Sequence, residues 1–394
     1  MSKPINPLST EVTIPTDLVC FSHLRWNFVY QRPQHLLSRF AKHFRLFFIE
    51  EPVFTPEADS LLVTMNEANV CIVVPQLKEG KSGSSLAQRQ KELLVKFFAK
   101  KEIHHYVFWY YTPMALAFSD NFSPVLTIYD CMDELSAFKF APPELKTKEA
   151  QLLAKADLVF TGGQSLYEAK KNTHADIHPF PSSIDKEHFF RARLKNSEPA
   201  DQKKIPYPRL GFYGVIDERM NIDLIRKVAK QKPAWQFVLI GPIVKIDQES
   251  LPKQNNIHYL GSKTYNELPE YLAGWDIAII PFALNESTRY ISPTKTPEYL
   301  AAGKPVISTS IKDVVNPYGK NALVHIADTP KEFIQATETE LNTTDRSSWL
   351  RTVDEFIADN SWDNTWKKMM HHVTRKLKEK QLLSQSKTKE RVYV

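Results

Sequence analysis

Along most of the chain, short apolar runs alternate with stretches whose apolar residues recur every three or four positions. The runs predict strands at residues 18–21, 46–49, 70–74, 106–110, 125–129 and 158–161. The periodic stretches between them predict helices at 32–42, 86–100, 143–155 and 164–172. After a break the rhythm resumes, with strands expected at 209–213, 236–240, 257–260, 277–281, 305–308 and 322–325. The helices expected there are 221–230, 265–273, 296–302, 330–341 and 347–359. Runs such as "IAIIP" and "PVIST" are apolar on both faces, as strands are in a parallel sheet covered by helices on both sides. The break, "RLKNSEPADQKKIPYP" (193–208), is charged, rich in turn formers and poor in apolar residues, and reads as a linker between two α/β domains. A last helix is expected from 361–362 onward, amphipathic through Trp366, Met369, Met370 and Val373. Two doubly wound domains in tandem enclose a cleft, and in such sheets ligands sit beyond the carboxyl ends of the strands.

Composition narrows this picture. At 394 residues, with 42% hydrophobic and 24% charged side chains, the chain is an ordinary globular one with ample core. Cys20, Cys71 and Cys131 are odd in number and widely spaced, which fits core thiols in a reducing compartment and argues against a disulfide framework or zinc cluster. No secretion signal and no run near the ~18 apolar residues of a membrane span is apparent, so a cytoplasmic location is expected. Nine basic side chains face three acidic ones between Trp362 and Val394, an excess equal to the whole chain's +6. A basic tail on a neutral body does not suggest nucleic-acid binding, which calls for a basic face interleaved with aromatics. It suits the inner face of an anionic membrane, at roughly 1 kcal/mol per basic residue; the alternative is a solvated helix that frays. No GxGxxG, Walker loop, nucleophile elbow or zinc spacing occurs, and eleven glycines in all disfavour a dinucleotide-binding oxidoreductase.

Three stretches hold candidate chemistry. In "RYISPTKTPEYLAAGKPVIST" (289–309), Ser292, Pro293 and Thr294 form a helix start with Lys295 in its first turn, a ready anion site. Glu298 lies one turn on, placed to accept hydrogen bonds from sugar hydroxyls; the alternative is a capping box alone. In "LTIYDCMDELSAF" (126–138), Asp130, Asp133 and Glu134 crowd the end of a strand and should raise one another's pKa, either as a general base or as a hydrophilic helix cap. In "SHLRWNFVYQRPQHL" (22–36), His23, Arg25, Trp26, Tyr30 and Arg32 crowd a strand-to-helix connection that has few turn formers.

"SPTKTPEYLAAGKPVIS" resembles the donor-binding signature of GT-B glycosyltransferases of the family-4 and family-1 kind. "LPEYLAGWDIAIIPF" resembles the helix and strand just upstream, and "GFYGVIDERMNIDLI" (211–225) the opening of their C-terminal domain. "WQFVLIGP" and "NIHYLGSKTYNELPEYLA" follow in family order. "SHLRWNFVYQRPQHL" resembles bacterial teichuronic-acid and exopolysaccharide glycosyltransferases. The resemblance implies a donor site of Gly214, Arg219, Gly261, Ser292, Thr294, Lys295 and Glu298, with Arg219 and Lys295 on the diphosphate, Glu298 on the ribose and the backbone near Gly261 framing the base. By similarity to inverting xanthan-type glucuronosyltransferases, Asp133 is the expected base, with Asp130 holding its environment. An acceptor wall of His23, Arg25, Trp26 and Arg32 is expected, the arginines gripping an anionic acceptor such as a lipid-linked diphosphate; the other reading has Trp26 and Tyr30 in the core and the arginines bridging loops. One departure stands out: family-4 retaining enzymes carry a second Glu eight residues before the position of Glu298, and Tyr290 occupies it. Retention or inversion is left open.

The resemblance thus implies a GT-B fold of two Rossmann-like domains: an acceptor-binding domain over 1–192 and a nucleotide-sugar domain over 208–360. A helix over 361–382 is expected to cross back to the first domain, followed by a basic tail, 383–394. The expected activity moves a sugar from a nucleotide-diphosphate sugar to a glycan or lipid-linked acceptor in cell-surface polysaccharide synthesis, with no metal or other cofactor. The alternatives are a nucleotide-sugar epimerase of the same fold or a non-catalytic sugar-binding protein.

Overall fold

A computed structural model describes residues 14–80, 85–194 and 198–392, with side chains described through Ser386. The first described sheet is built from β1 (Asp17–Phe21), β2 (Arg45–Ile49), β3 (Val53–Thr55), β4 (Ser60–Met65), β5 (Val70–Lys78), β6 (Tyr106–Tyr110), β7 (Leu126–Cys131), β8 (Leu158–Thr161) and β9 (Ile177–Pro179). Its order is β3-β5-β2-β1-β6-β7-β8-β9, with β4 paired antiparallel to β5 and every other pairing parallel. The second sheet comprises β10 (Arg209–Tyr213), β11 (Gln236–Ile240), β12 (Ile257–Tyr259), β13 (Ile277–Ile280), β14 (Val306–Ser308) and β15 (His325–Ile326). It is parallel throughout, in the order β12-β11-β10-β13-β14-β15.

Both sheets reverse their winding direction next to their first strand, between β1 and β6 and between β10 and β13. A crevice opens at such a switch point, outside the strands' carboxyl ends. The central strands are apolar on both faces because helices cover both: DLVCF, YVFWY, RLGFY and QFVLI are buried at every residue. Cys20, Cys71 and Cys131 are buried free thiols within this packing.

The last helix, Trp362–Val392, packs on the first domain. Trp362, Met369, Val373 and Leu377 enter the core that holds Leu36, Phe40 and Trp109. Asp363 on this helix pairs with Arg39, Arg375 with Asp176 and Lys380 with Asp157. The helix continues through most of the stretch expected to be a loose tail; the side chains of Lys387, Lys389 and Arg391 lie outside the described residues. No helix among the described residues is long and apolar enough to cross a membrane.

The segment expected to be a linker differs from a free spacer. A helix, Lys186–Leu194, runs into it and a short one, Ala200–Lys203, lies within it; 195–197 are outside the described residues. Gln202 is buried against the second domain, donating to the Tyr271 carbonyl (3.0 Å) and accepting from the Trp275 indole N–H (2.8 Å). Its amide partners lie far along the chain, so a polar composition conceals a seated segment. Strands β3, β4 and β9 were also not expected.

Candidate active site

A cleft with a cavity of about 160 Å³ lies between the domains, where loops from both sheets converge. The second domain supplies its floor. Lys295 opens the helix Lys295–Ala301, and no side chain caps that helix, so the Ser/Thr–Glu pattern does not form a capping box. Glu298 instead accepts a hydrogen bond from the Tyr213 hydroxyl (2.5 Å) at the end of β10. The Lys295 ammonium lies 5.4 Å from the ring centres of both Phe212 and Phe282 and makes no ion pair within 4.0 Å among the described residues. Gly214 is required beside it: a Cβ there would lie 2.8 Å from Lys295 Cε, and φ is +136°, a region L side chains rarely adopt.

Burial pulls the Lys295 ammonium down, helped by Arg219, and pushes the Glu298 carboxyl up. Each is held in a medium that disfavours its charge, as suits groups awaiting a charged or hydroxylated ligand. Arg219 is clamped by Asp217, with Nε donating to both carboxylate oxygens and Nη2 to one (2.7 Å), and its guanidinium lies 5.5 Å over Phe138 of the first domain. Asp217 thereby aims Arg219 into the cleft.

From the first domain, Asp133 enters just beyond the carboxyl end of β7. Burial pushes its carboxyl up to about 6, against the pull of Arg219, Arg32 and Lys295. It makes no ion pair within 4.0 Å among the described residues. Asp133, Gly214, Arg219, Ser292, Thr294, Lys295 and Glu298 therefore share one cleft wall-to-wall, as does part of Arg32.

The remaining expected site residues are placed elsewhere. Asp130 is fully buried and gripped by Arg32 through Nε (3.1 and 3.2 Å) and Nη2 (2.8 Å), which removes it from contact with any substrate. Arg32 in turn has no fork left for an acceptor, since Nη1 donates to the Phe180 carbonyl (2.7 Å). The pair acts as an anchor beneath the loop that carries Asp133. Arg25 bridges loops, donating to Glu50 and to the carbonyls of Glu51 and Pro52. Trp26 packs edge-on against Phe48 in the core. His23 is largely buried and off the cleft wall, with burial lowering its imidazole to about 4. Gly261 has a positive φ (+68°) and its carbonyl accepts from Gly241, but it too is off the wall; Tyr265 and Leu268, further along that connection, line the cleft instead.

Tyr30, Gly162, Ser182, Tyr213 and Tyr265 also line the wall. Of these, only Tyr30 was singled out in the sequence; Tyr213 and Tyr265 lie inside the family-like stretches with no role read for them. Gly163 lets the domains meet closely: a Cβ there would lie 2.4 Å from Asp313 Oδ2 of the second domain. Asp313 Oδ1 accepts from the Ser165 amide (2.9 Å), so one domain caps a helix of the other.

Two facing doubly wound domains, with an anion-receptive floor on one side and a carboxylate on the other, form the GT-B fold. Residues 207–343 match the family described as glycosyl transferases group 1. The chain is 25% identical over 285 residues to TuaH of Bacillus subtilis (strain 168), a protein assigned to teichuronic acid biosynthesis as a glycosyltransferase; the match covers 67% of this chain and 70% of that one. Sucrose-phosphate synthase from Thermosynechococcus elongatus has the same fold, at TM-score 0.67 and 14% identity over 91% of this chain and 98% of the other. Anabaena Alr3699/HepE in complex with UDP and glucose superposes at TM-score 0.65 and 13% identity, over 91% and 99%.

Proposed function

We propose that the protein transfers a hexosyl group from a nucleoside-diphosphate sugar to a hydroxyl of a glycan or lipid-linked acceptor in cell-surface polysaccharide synthesis. One observation carries this reading: Lys295 and Arg219 from one domain and Asp133 from the other face the same cleft. In the transfer, the bond from the sugar's anomeric carbon to the diphosphate oxygen breaks and a bond to the acceptor oxygen forms. Lys295 and Arg219 take up the negative charge that develops on the departing diphosphate, in a site where burial strengthens the attraction. Glu298, steadied by Tyr213, accepts hydrogen bonds from the ribose hydroxyls. Asp133 takes the acceptor's proton if configuration inverts; a carboxylate titrating at about 6 is ionised yet basic at neutral pH. The likeness to TuaH supports a polysaccharide acceptor, and the complexes of Alr3699/HepE with UDP and with UDP-glucose make UDP-glucose the first donor to try. Contact with an anionic membrane belongs to the same reading, supported by the basic side chains of the last helix. Incubation with a panel of nucleotide sugars and a membrane-lipid extract should release nucleoside diphosphate only when donor and acceptor are both present. An epimerised sugar from donor alone, or equal turnover by Lys295→Ala, would overturn the proposal.

A further inference from the structure

A second cavity lies outside the cleft, where the last helix crosses the end of β9. Lys367, Lys368, His371 and His372 line it from the helix, at a spacing that puts them on adjoining faces one turn apart, and His178 and Phe180 line it from the β9 side. The basic residues of this helix fall into two groups. Further along it, Arg375 and Lys376 are paired with Asp176, and Lys380 with Asp157. Lys367, Lys368 and His371 make no ion pair within 4.0 Å among the described residues, although all three face the cavity. Asp363, whose charge Lys367 feels, is engaged by Arg39.

No carboxylate lines the cavity. Asp176, which touches His178 Nε2 at 2.8 Å, is itself held by Arg375 and Lys376. The His178 ring lies 3.8 Å from that of His372, whose Nδ1 is buried without a hydrogen-bond partner. No group of three or more His, Cys, Asp or Glu side chains among the described residues is arranged to hold a metal ion. Two ammonium groups, an exposed imidazole and an orphaned ring nitrogen over an apolar floor are complementary to a multiply charged oxyanion.

We infer that this cavity binds a phosphate group, either the headgroup of an anionic lipid or a soluble diphosphate. The site joins the catalytic cleft through its floor. Phe180 gives its carbonyl to Arg32, which holds Asp130, and Ser182, two residues on, lines the cleft. A phosphate held there sits on the first domain, beside the segment that leads from Phe180 to Ser182 on the cleft wall. The inference does not depend on the transferase reading.

The test uses the full chain and Lys367→Gln/Lys368→Gln/His371→Gln, a variant of exposed side chains that leaves the core intact. Pyrophosphate is titrated calorimetrically into both, with Lys295→Ala as the control for anion binding in the cleft. Loss of about tenfold or more in pyrophosphate affinity in the triple variant is expected, with Lys295→Ala retaining this binding. Both proteins are then sedimented with phosphatidylcholine vesicles with and without phosphatidic acid. Sedimentation of the parent with phosphatidic acid alone, abolished in the triple variant, identifies a lipid headgroup. Pyrophosphate binding without sedimentation identifies a soluble phosphate. An unchanged affinity in the triple variant, or no saturable binding by the parent, overturns the inference, whereas failure of the transferase reading leaves these titrations unaffected.

Discussion

Tyr30 of the first domain stacks on Tyr265 of the second, ring centres 4.6 Å apart and 29° from parallel, and Tyr265 stacks in turn on His188 at 4.1 Å. Both tyrosines line the cleft, so this contact bridges the domains at the mouth of the site. Tyr30→Ala should favour the open arrangement. Small-angle scattering should show a larger radius of gyration, and KM for the donor should rise by several-fold, roughly the worth of one aromatic pair. Unchanged scattering and KM would show that the stack plays no part in closure.

Lys295→Ala should lower kcat by about 10²–10³, the usual effect of removing one charge-stabilising donor. Lys295→Arg should not restore activity fully, since a planar guanidinium would have to take the place of a compact ammonium set between the rings of Phe212 and Phe282. Glu298→Gln should act mainly on donor KM. Steady-state kinetics with saturating acceptor separate these effects.

Asp133 titrates at about 6. If it is the base, kcat/KM should be level above neutrality and fall about tenfold per pH unit below 6, and Asp133→Asn should lower it by about 10²–10⁴. A pH–rate profile whose acidic limb survives in Asp133→Asn would assign the base elsewhere.

The same carboxyl affects stability. Its folded-state value lies above the ordinary 3.8, so its cost to folding is absent below about pH 4, grows as pH rises and is complete above 6. Asp133→Asn should therefore melt higher than the parent at pH 8 and at the same temperature near pH 4. Thermal denaturation at the two pH values tests this, and a variant destabilised at pH 8 would contradict it.

Arg32 and Asp130 form a buried, mutually satisfied pair. Removing either alone should cost about 3–5 kcal/mol, and the double variant should cost less than the sum of the two. Denaturant titration of the four proteins gives the coupling. Additive losses would mean that the pair does not act as a unit.

Much of the architecture was legible because it rests on local pattern. YVFWY and QFVLI are apolar at consecutive positions, and their bounds match the observed strands. Strands β3 and β9, of three residues each, are too short to show a period, and SLLVTM in β4 is a largely exposed edge without alternation. The site was less legible, because its roles depend on partners distant in the chain. Arg32 at a helix start looks like a free fork until Asp130, 98 residues later, claims it. Trp26 looks like a sugar platform until Phe48 is seen beneath it. Lys295 and Glu298 were found because a family motif keeps them together, whereas nothing in the stretch around Tyr265 points to its partner Tyr30 in the other domain.

The position of the last helix has a consequence for biosynthesis. Trp362, Met369, Val373 and Leu377 belong to the core that covers one face of the first sheet, yet a ribosome makes them after the whole second domain. Until they emerge, Leu36, Phe40 and Trp109 lack part of their cover, so the earlier-made domain is the later one to be completed. The second domain, whose core lies within residues 184–357, can close first. A nascent chain stalled before residue 362 should thus present a sticky, half-covered face to chaperones.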